Sequence, residues 1–142
     1  MVVFILKTEC WALFTIAKIV EKHRPKLPPS ISEGELKEEE LFQNMVLRPI
    51  IKMQHQILIL RVKDYFLSKK VLFNSLDQIN KEKWIRNAFQ KDAMLKKEIQ
   101  GFILGQLNVK EFNEYLKNQK SINKRIAQMV QNRMLDSIIE LT

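Results

Sequence analysis

Between Ser121 and Ile138 the apolar residues Ile122, Ile126, Met129, Val130, Met134 and Ile138 fall at spacings of three and four. A repeat of 3.6 residues places all six on one face of a helix, and so apolar a face is stable in water only when other elements cover it. The rest of the chain must supply that cover. Its composition is suitable, since 46% of the 142 residues are hydrophobic, only three are Gly and four are Pro, and no Asn-Gly or Asp-Gly pair marks a hairpin. Lys, Glu, Gln, Leu, Ile and Met favour helices. The expectation is an all-α protein, a single compact helical domain of about five or six helices. At this length folding buries roughly 68–70% of the surface of the unfolded chain, enough for a sizeable core.

Val3 to Lys22 read as an apolar helix that ends at His23-Arg24-Pro25-Lys26-Leu27-Pro28-Pro29, where each residue before a proline is pushed out of helical space. Residues 1–31 are therefore an N-terminal helix with a Pro-rich connector, and residues 32–142 the main body. Ser32-Glu33-Gly34-Glu35 has the form of a capping box and opens a second helix. Pro49 interrupts it, either kinking the helix or standing at the first position of a new one, which predicts a bend near Leu47. From Ile50 to Phe66 two apolar stripes lie side by side, Ile50, Met53, Ile57 and Leu60 beside Ile51, Leu58, Val62 and Tyr65. Neighbours on both sides are implied, so this Pro-bent helix is the central one.

Downstream, Ser75-Leu76-Asp77-Gln78 is a second capping-box candidate, before a helix anchored by Ile79, Trp84 or Ile85, and Phe89. Asp92 caps a helix to about Leu107, with Met94, Leu95, Ile99, Phe102 and Ile103 facing inward. Gly101 and Gly105, four apart on that helix, read as a close approach to the central helix or, alternatively, as a break that ends this helix. Asn108 with Glu111 caps the next helix, which carries Phe112, Tyr115 and Leu116, and Trp11 and Trp84 read as core anchors.

Cys10 is the only cysteine, which excludes an intrachain disulfide and a Cys-rich zinc site and fits a reducing, cytoplasmic setting. Lys7, Glu9 and Lys18 interrupt the apolar run from Met1 to Val20. Charges near a bilayer centre cost about 2.5–3.5 kcal/mol each, so a membrane span is not expected. The chain is basic, with net charge +8 and pI near 9.6. The positive charge is dispersed, however, and no local basic block marks a nucleic-acid surface.

Candidate sites are few. Glu33, Glu35, Glu38, Glu39 and Glu40 suit the first turns of a helix, where the macrodipole favours negative charge. His55 lies roughly 24 Å beyond Glu39 along a straight helix, so the two cannot share an ion. Neither histidine has a Glu three residues before it, since Val20 and Lys52 stand there, and the carboxylate-histidine pairs of dinuclear bundles are therefore absent. His55 shares a helical face with Arg48, Lys52, Ile59 and Lys63, which reads either as a partly exposed structural histidine or as part of a cationic groove for an anion or acidic partner. Arg48, Gln54, His55 and Arg61 form the candidate polar binding cluster. Lys120, Lys124, Arg125 and Arg133 on the last helix suit either phosphate or solvent. Phosphate-cradling glycine loops, Gly-x-Ser-x-Gly, His-Glu-x-x-His and Cys-x-x-Cys are all absent. No catalytic, cofactor-binding or metal-ligating residue is assigned.

Glu40-Leu41-Phe42-Gln43-Asn44 followed by Val46-Leu47-Arg48-Pro49-Ile50-Ile51-Lys52-Met53-Gln54-His55 resembles a family of small uncharacterised bacterial helical proteins. Gln90-Lys91-Asp92, Gly101 to Gly105 and Asn123-Lys124-Arg125-Ile126 add to the likeness, which spans roughly Ser32 to Ser137. Some members carry the label glyoxalase. The resemblance implies a bacterial cytoplasmic helical domain and carries over no catalytic residue. Glyoxalase I enzymes are built from paired βαβββ modules with His and Glu ligands on strands, and this sequence shows neither.

Three functions follow as expectations. The first is a noncatalytic helical protein–protein interaction module, either a homodimer or a binder of another protein, contacting through the last amphipathic helix or the N-terminal apolar one. The second is a basic nucleic-acid-associated protein. The third is an enzyme of the glyoxalase label.

Overall fold

A computed structural model of the chain describes residues 24–25 and 37–142. The N-terminal apolar helix, Cys10, Trp11, Glu33, Glu35, the capping box at Ser32 and most of the Pro-rich connector lie outside the described residues. Within them every regular element is helical and no strand occurs. Seven α-helices of five residues or more are present, rather than five or six. They are α1 (Glu38–Phe42), α2 (Arg48–Met53), α3 (His55–Ser68), α4 (Gln78–Lys91), α5 (Ala93–Leu104), α6 (Val109–Lys117) and α7 (Gln119–Asp136). A final turn, Ile138–Leu141, follows. Among the described residues no helix is long and apolar enough to cross a membrane.

The extra helices come from the segment expected to be one central helix. A wide π turn, Gln43–Leu47, joins α1 to α2, and within it the Arg48 N–H reaches back five residues to the Gln43 carbonyl. Pro49 follows at once at the start of α2. Having no N–H, it cannot continue the ordinary ladder, and a local change of register accommodates it. Leu47 and Arg48 keep helical dihedrals. The break comes later, at Gln54, whose φ of −87° and ψ of 5° separate α2 from α3. Gln54 is buried at this joint and its Nε2 donates to the Phe102 carbonyl of α5 at 3.4 Å.

The core gathers Ile50 and Ile51 of α2 with Leu58, Val62 and Phe66 of α3, Ile85 and Phe89 of α4, and Leu95, Ile99 and Ile103 of α5. Across them lie Ile122, Ile126, Val130 and Met134 of α7, the stripe read from the sequence. That stripe is spent inside the protein, so α7 does not offer it to a partner. α4, α5 and α7 pack mutually, and α3 packs on the final turn. Phe66 stacks on Phe73 with ring centroids 4.7 Å apart.

Several inward expectations are corrected. Leu60, Ile79, Trp84 and Met94 are exposed; Ile59 beside Leu60 is buried, as are Ile85 and Leu95, the other residues of the pairs expected to face inward. Gly101 is exposed and a Cβ there would meet nothing within 4 Å, so it marks no close helix approach. Gly105 is instead the residue at which α5 ends. Asp92 caps α5 by accepting from the Leu95 N–H at 3.0 Å, and Asn108 with Glu111 forms the full capping box of α6. The cap of α4 is Asp77 rather than Ser75, because the Ser75 hydroxyl is turned back to donate to the Leu72 carbonyl at 2.7 Å.

Candidate functional site

The α1–α2 segment runs beside α7, where the Ser121 hydroxyl donates to Glu39 at 3.4 Å. Between α2 and α7 lies an open cleft of about 570 Å³. Gln43, Arg48, Ile51 and Lys52 form one wall. Arg125, Gln128, Met129, Asn132, Arg133 and Asp136 form the other. Those six α7 residues recur at steps of three and one, which places them along the flank next to the buried stripe. One helix thus seals the core with one edge and lines a polar cleft with the next.

Four cationic side chains converge on this cleft. Arg48, Lys52 and Arg125 make no hydrogen bond or ion pair with another side chain among the described residues. Arg133 is held: its Nε donates to His55 Nδ1 at 2.9 Å, and His55 Nε2 lies 2.8 Å from Glu140 of the final turn. Because an arginine only donates, Nδ1 is the acceptor, and the tautomer with its proton on Nε2 donates onward to the carboxylate. Both ring nitrogens are thereby engaged. Among the described residues the cleft carries one carboxylate, Asp136, and the neutral amides of Gln43, Gln128 and Asn132 stand among the cations.

The expected cluster of Arg48, Gln54, His55 and Arg61 is only partly brought together. Arg48 lines the cleft, and His55 braces it through Arg133. Gln54 is buried at the α2–α3 joint. Arg61 turns to α5, pairing with Glu98 at 2.8 Å and with Asp64 at 3.1 Å. Lys120 and Lys124 are exposed outside the lining, whereas Arg125 and Arg133 are part of it. Gln43, Gln128, Asn132, Asp136 and Glu140 do not stand out in the sequence. The α7 members carry a readable signal, a second stripe offset by one position from the apolar one.

A smaller groove of about 270 Å³ lies at the other end of α1–α2, lined by Glu38, Glu39, Leu41, Phe42, Met45 and Val46 with Glu114, Asn118 and Ile122. Its charge is opposite to that of the cleft. Two further carboxylates are structural. The Leu95 N–H holds the Asp92 carboxyl below the ordinary range against the opposing effect of burial, helped by the Tyr65 hydroxyl and Lys69. Burial pushes Glu111 up, but hydrogen bonds from Arg24 and from the Asn108 N–H together outweigh it and leave the carboxyl lowered. Arg24 lies 2.5 Å from Glu111, which ties residues 24–25 to the start of α6. Among the described residues no group of three His, Cys, Asp or Glu side chains gathers as a metal ion would require.

No protein-family model, curated protein or solved structure matches this chain.

Proposed function

We propose that the chain is a noncatalytic helical binding module that receives an acidic segment of a protein in the cleft between α2 and α7. The observation that carries this reading is the convergence of Arg48, Lys52 and Arg125, which pair with no carboxylate among the described residues although Asp136 shares the lining, beside a braced Arg133. Cations gathered in one cleft repel each other, and a bound carboxylate run relieves that repulsion while accepting their hydrogen bonds. The amides of Gln43, Gln128 and Asn132 suit polar and main-chain groups, and Ile51 and Met129 give the cleft an apolar floor. His55 supports a binding role over a catalytic one, since each ring nitrogen already has a partner.

Acidic polypeptide fits better than nucleic acid. Among the described residues no aromatic side chain lines the cleft, so bases have nothing to stack on, and Asp136 would oppose a phosphodiester. Fluorescence anisotropy with a labelled oligoglutamate tests this reading. Binding is expected to weaken on the order of tenfold with R48E/K52E and with added salt. Absence of binding at low salt, or tighter binding to mixed DNA and RNA, would overturn the proposal.

A further inference from the structure

The α1–α2 segment, which carries two of the cleft's four cations, also carries their opposites. Glu38, Glu39 and Glu40 are exposed at its start, Arg48 and Lys52 are exposed towards its end, and Met45 stands 59% exposed between them. Glu38 precedes Met45 by as many residues as Lys52 follows it, and Met45 stands at the middle of the π turn Gln43–Leu47 that joins the two helices. A segment with this layout is complementary to itself when turned around.

We propose that the acidic segment is supplied by a second copy of this chain. Two α1–α2 segments pair antiparallel about a two-fold axis at Met45. Glu38 of each copy faces Lys52 of the other, Arg48 stands one turn nearer the axis, and the two methionines meet on the axis. A closed two-fold contact uses the same patch twice, so every residue on it must suit its symmetry mate. Here acid meets base at both ends, and the adaptable, apolar Met45 packs on itself at the centre. The charges around the contact agree in sign. Glu114 adds to the acidic end, and its neighbour Lys117 is occupied by it at 2.7 Å. Lys37 beside Glu38 and Asp136 in the cleft oppose the pairing without reversing either end. One segment against one segment falls below the roughly 1,200 Å² of a stable interface, so the dimer is weak and salt-sensitive.

This inference rests on the reading of the cleft as a site for acidic polypeptide, and sedimentation velocity separates the two. Wild-type protein is expected to dimerise reversibly at high concentration, with oligoglutamate returning it to monomer. R48E/K52E and E38K/E39K should each be monomeric, because like charges then face each other. Mixed in equal amounts they should form a dimer, because both ends are again complementary. M45R places two like charges on the axis and should weaken the wild-type dimer at least about tenfold. It lies outside the first helical turn, so it keeps the test open should E38K/E39K, which opposes the macrodipole, fail to fold by circular dichroism. A wild-type monomer at about 1 mM, a dimer indifferent to both reversals, or no mixed dimer would overturn the inference. A monomer that still binds oligoglutamate would sink it alone, whereas loss of both would also remove the proposed function.

Discussion

The two flanks of α7 have opposite fates although they are neighbours in sequence. Ile122, Ile126, Val130 and Met134 are buried between α4 and α5, while Arg125, Gln128, Asn132 and Arg133 border the open cleft against α2. The first flank is defined by what it excludes, namely water, and the second by charges that have not been neutralised. If that division is right, adjacent residues should differ sharply in what they contribute. Ile126→Ala should cost about 2–5 kcal/mol in urea unfolding, since Ile126 is fully buried and its removal leaves a cavity in a packed core. A loss below about 1 kcal/mol would show that the interior is loosely packed and the contrast with the cleft overstated.

The first flank was legible in the sequence and the second only in part, for a physical reason. Burial of an apolar stripe is demanded by water, so its spacing alone announces it. A polar flank satisfies water either way, and only the position of α2 decides that Arg125 and Arg133 face a cleft while Lys120 and Lys124 do not. The caps Asp92 and Asn108 were readable because they act on their own helices over three residues. Gln54, His55 and Arg133 were not readable as a set, since their partners Phe102, Glu140 and one another lie tens of residues away. The misplaced anchors have a related cause. Where two apolar residues adjoin, as in Ile59-Leu60, Trp84-Ile85 and Met94-Leu95, spacing leaves the inner one undetermined and packing chooses.

A polar residue with its partners in place should fall between the two flanks. Asp92 accepts from the Leu95 N–H, and its carboxyl lies below the ordinary range. Asp92→Ala should therefore cost about 0.5–2 kcal/mol near neutral pH, the usual loss for a cap. A carboxyl with a lowered folded pKa contributes stability that is fully present above its unfolded value, near 4, and is lost as pH falls through the lower folded value. The difference between wild type and variant in denaturant unfolding should thus shrink in acid. A difference that is constant from neutral to strongly acidic pH would mean that the lost cap does not depend on the ionised carboxylate.

Arg125→Ala should have the smallest effect on folding, and for that reason it sharpens the comparison most. Arg125 has no hydrogen-bonding or ionic partner among the described residues and shares the cleft with Arg48, Lys52 and Arg133. Its truncation removes repulsion between like charges as well as some contact along its stem, and these oppose each other. The net change should stay within about 0.5 kcal/mol. It should move in the stabilising direction at low salt, where screening is weakest. Affinity for oligoglutamate should fall in the same variant. A destabilisation above about 1.5 kcal/mol, comparable to breaking a charged hydrogen bond, would show that Arg125 is already neutralised within the folded chain. The cleft would then be another structural flank of α7 rather than a site awaiting an acidic partner.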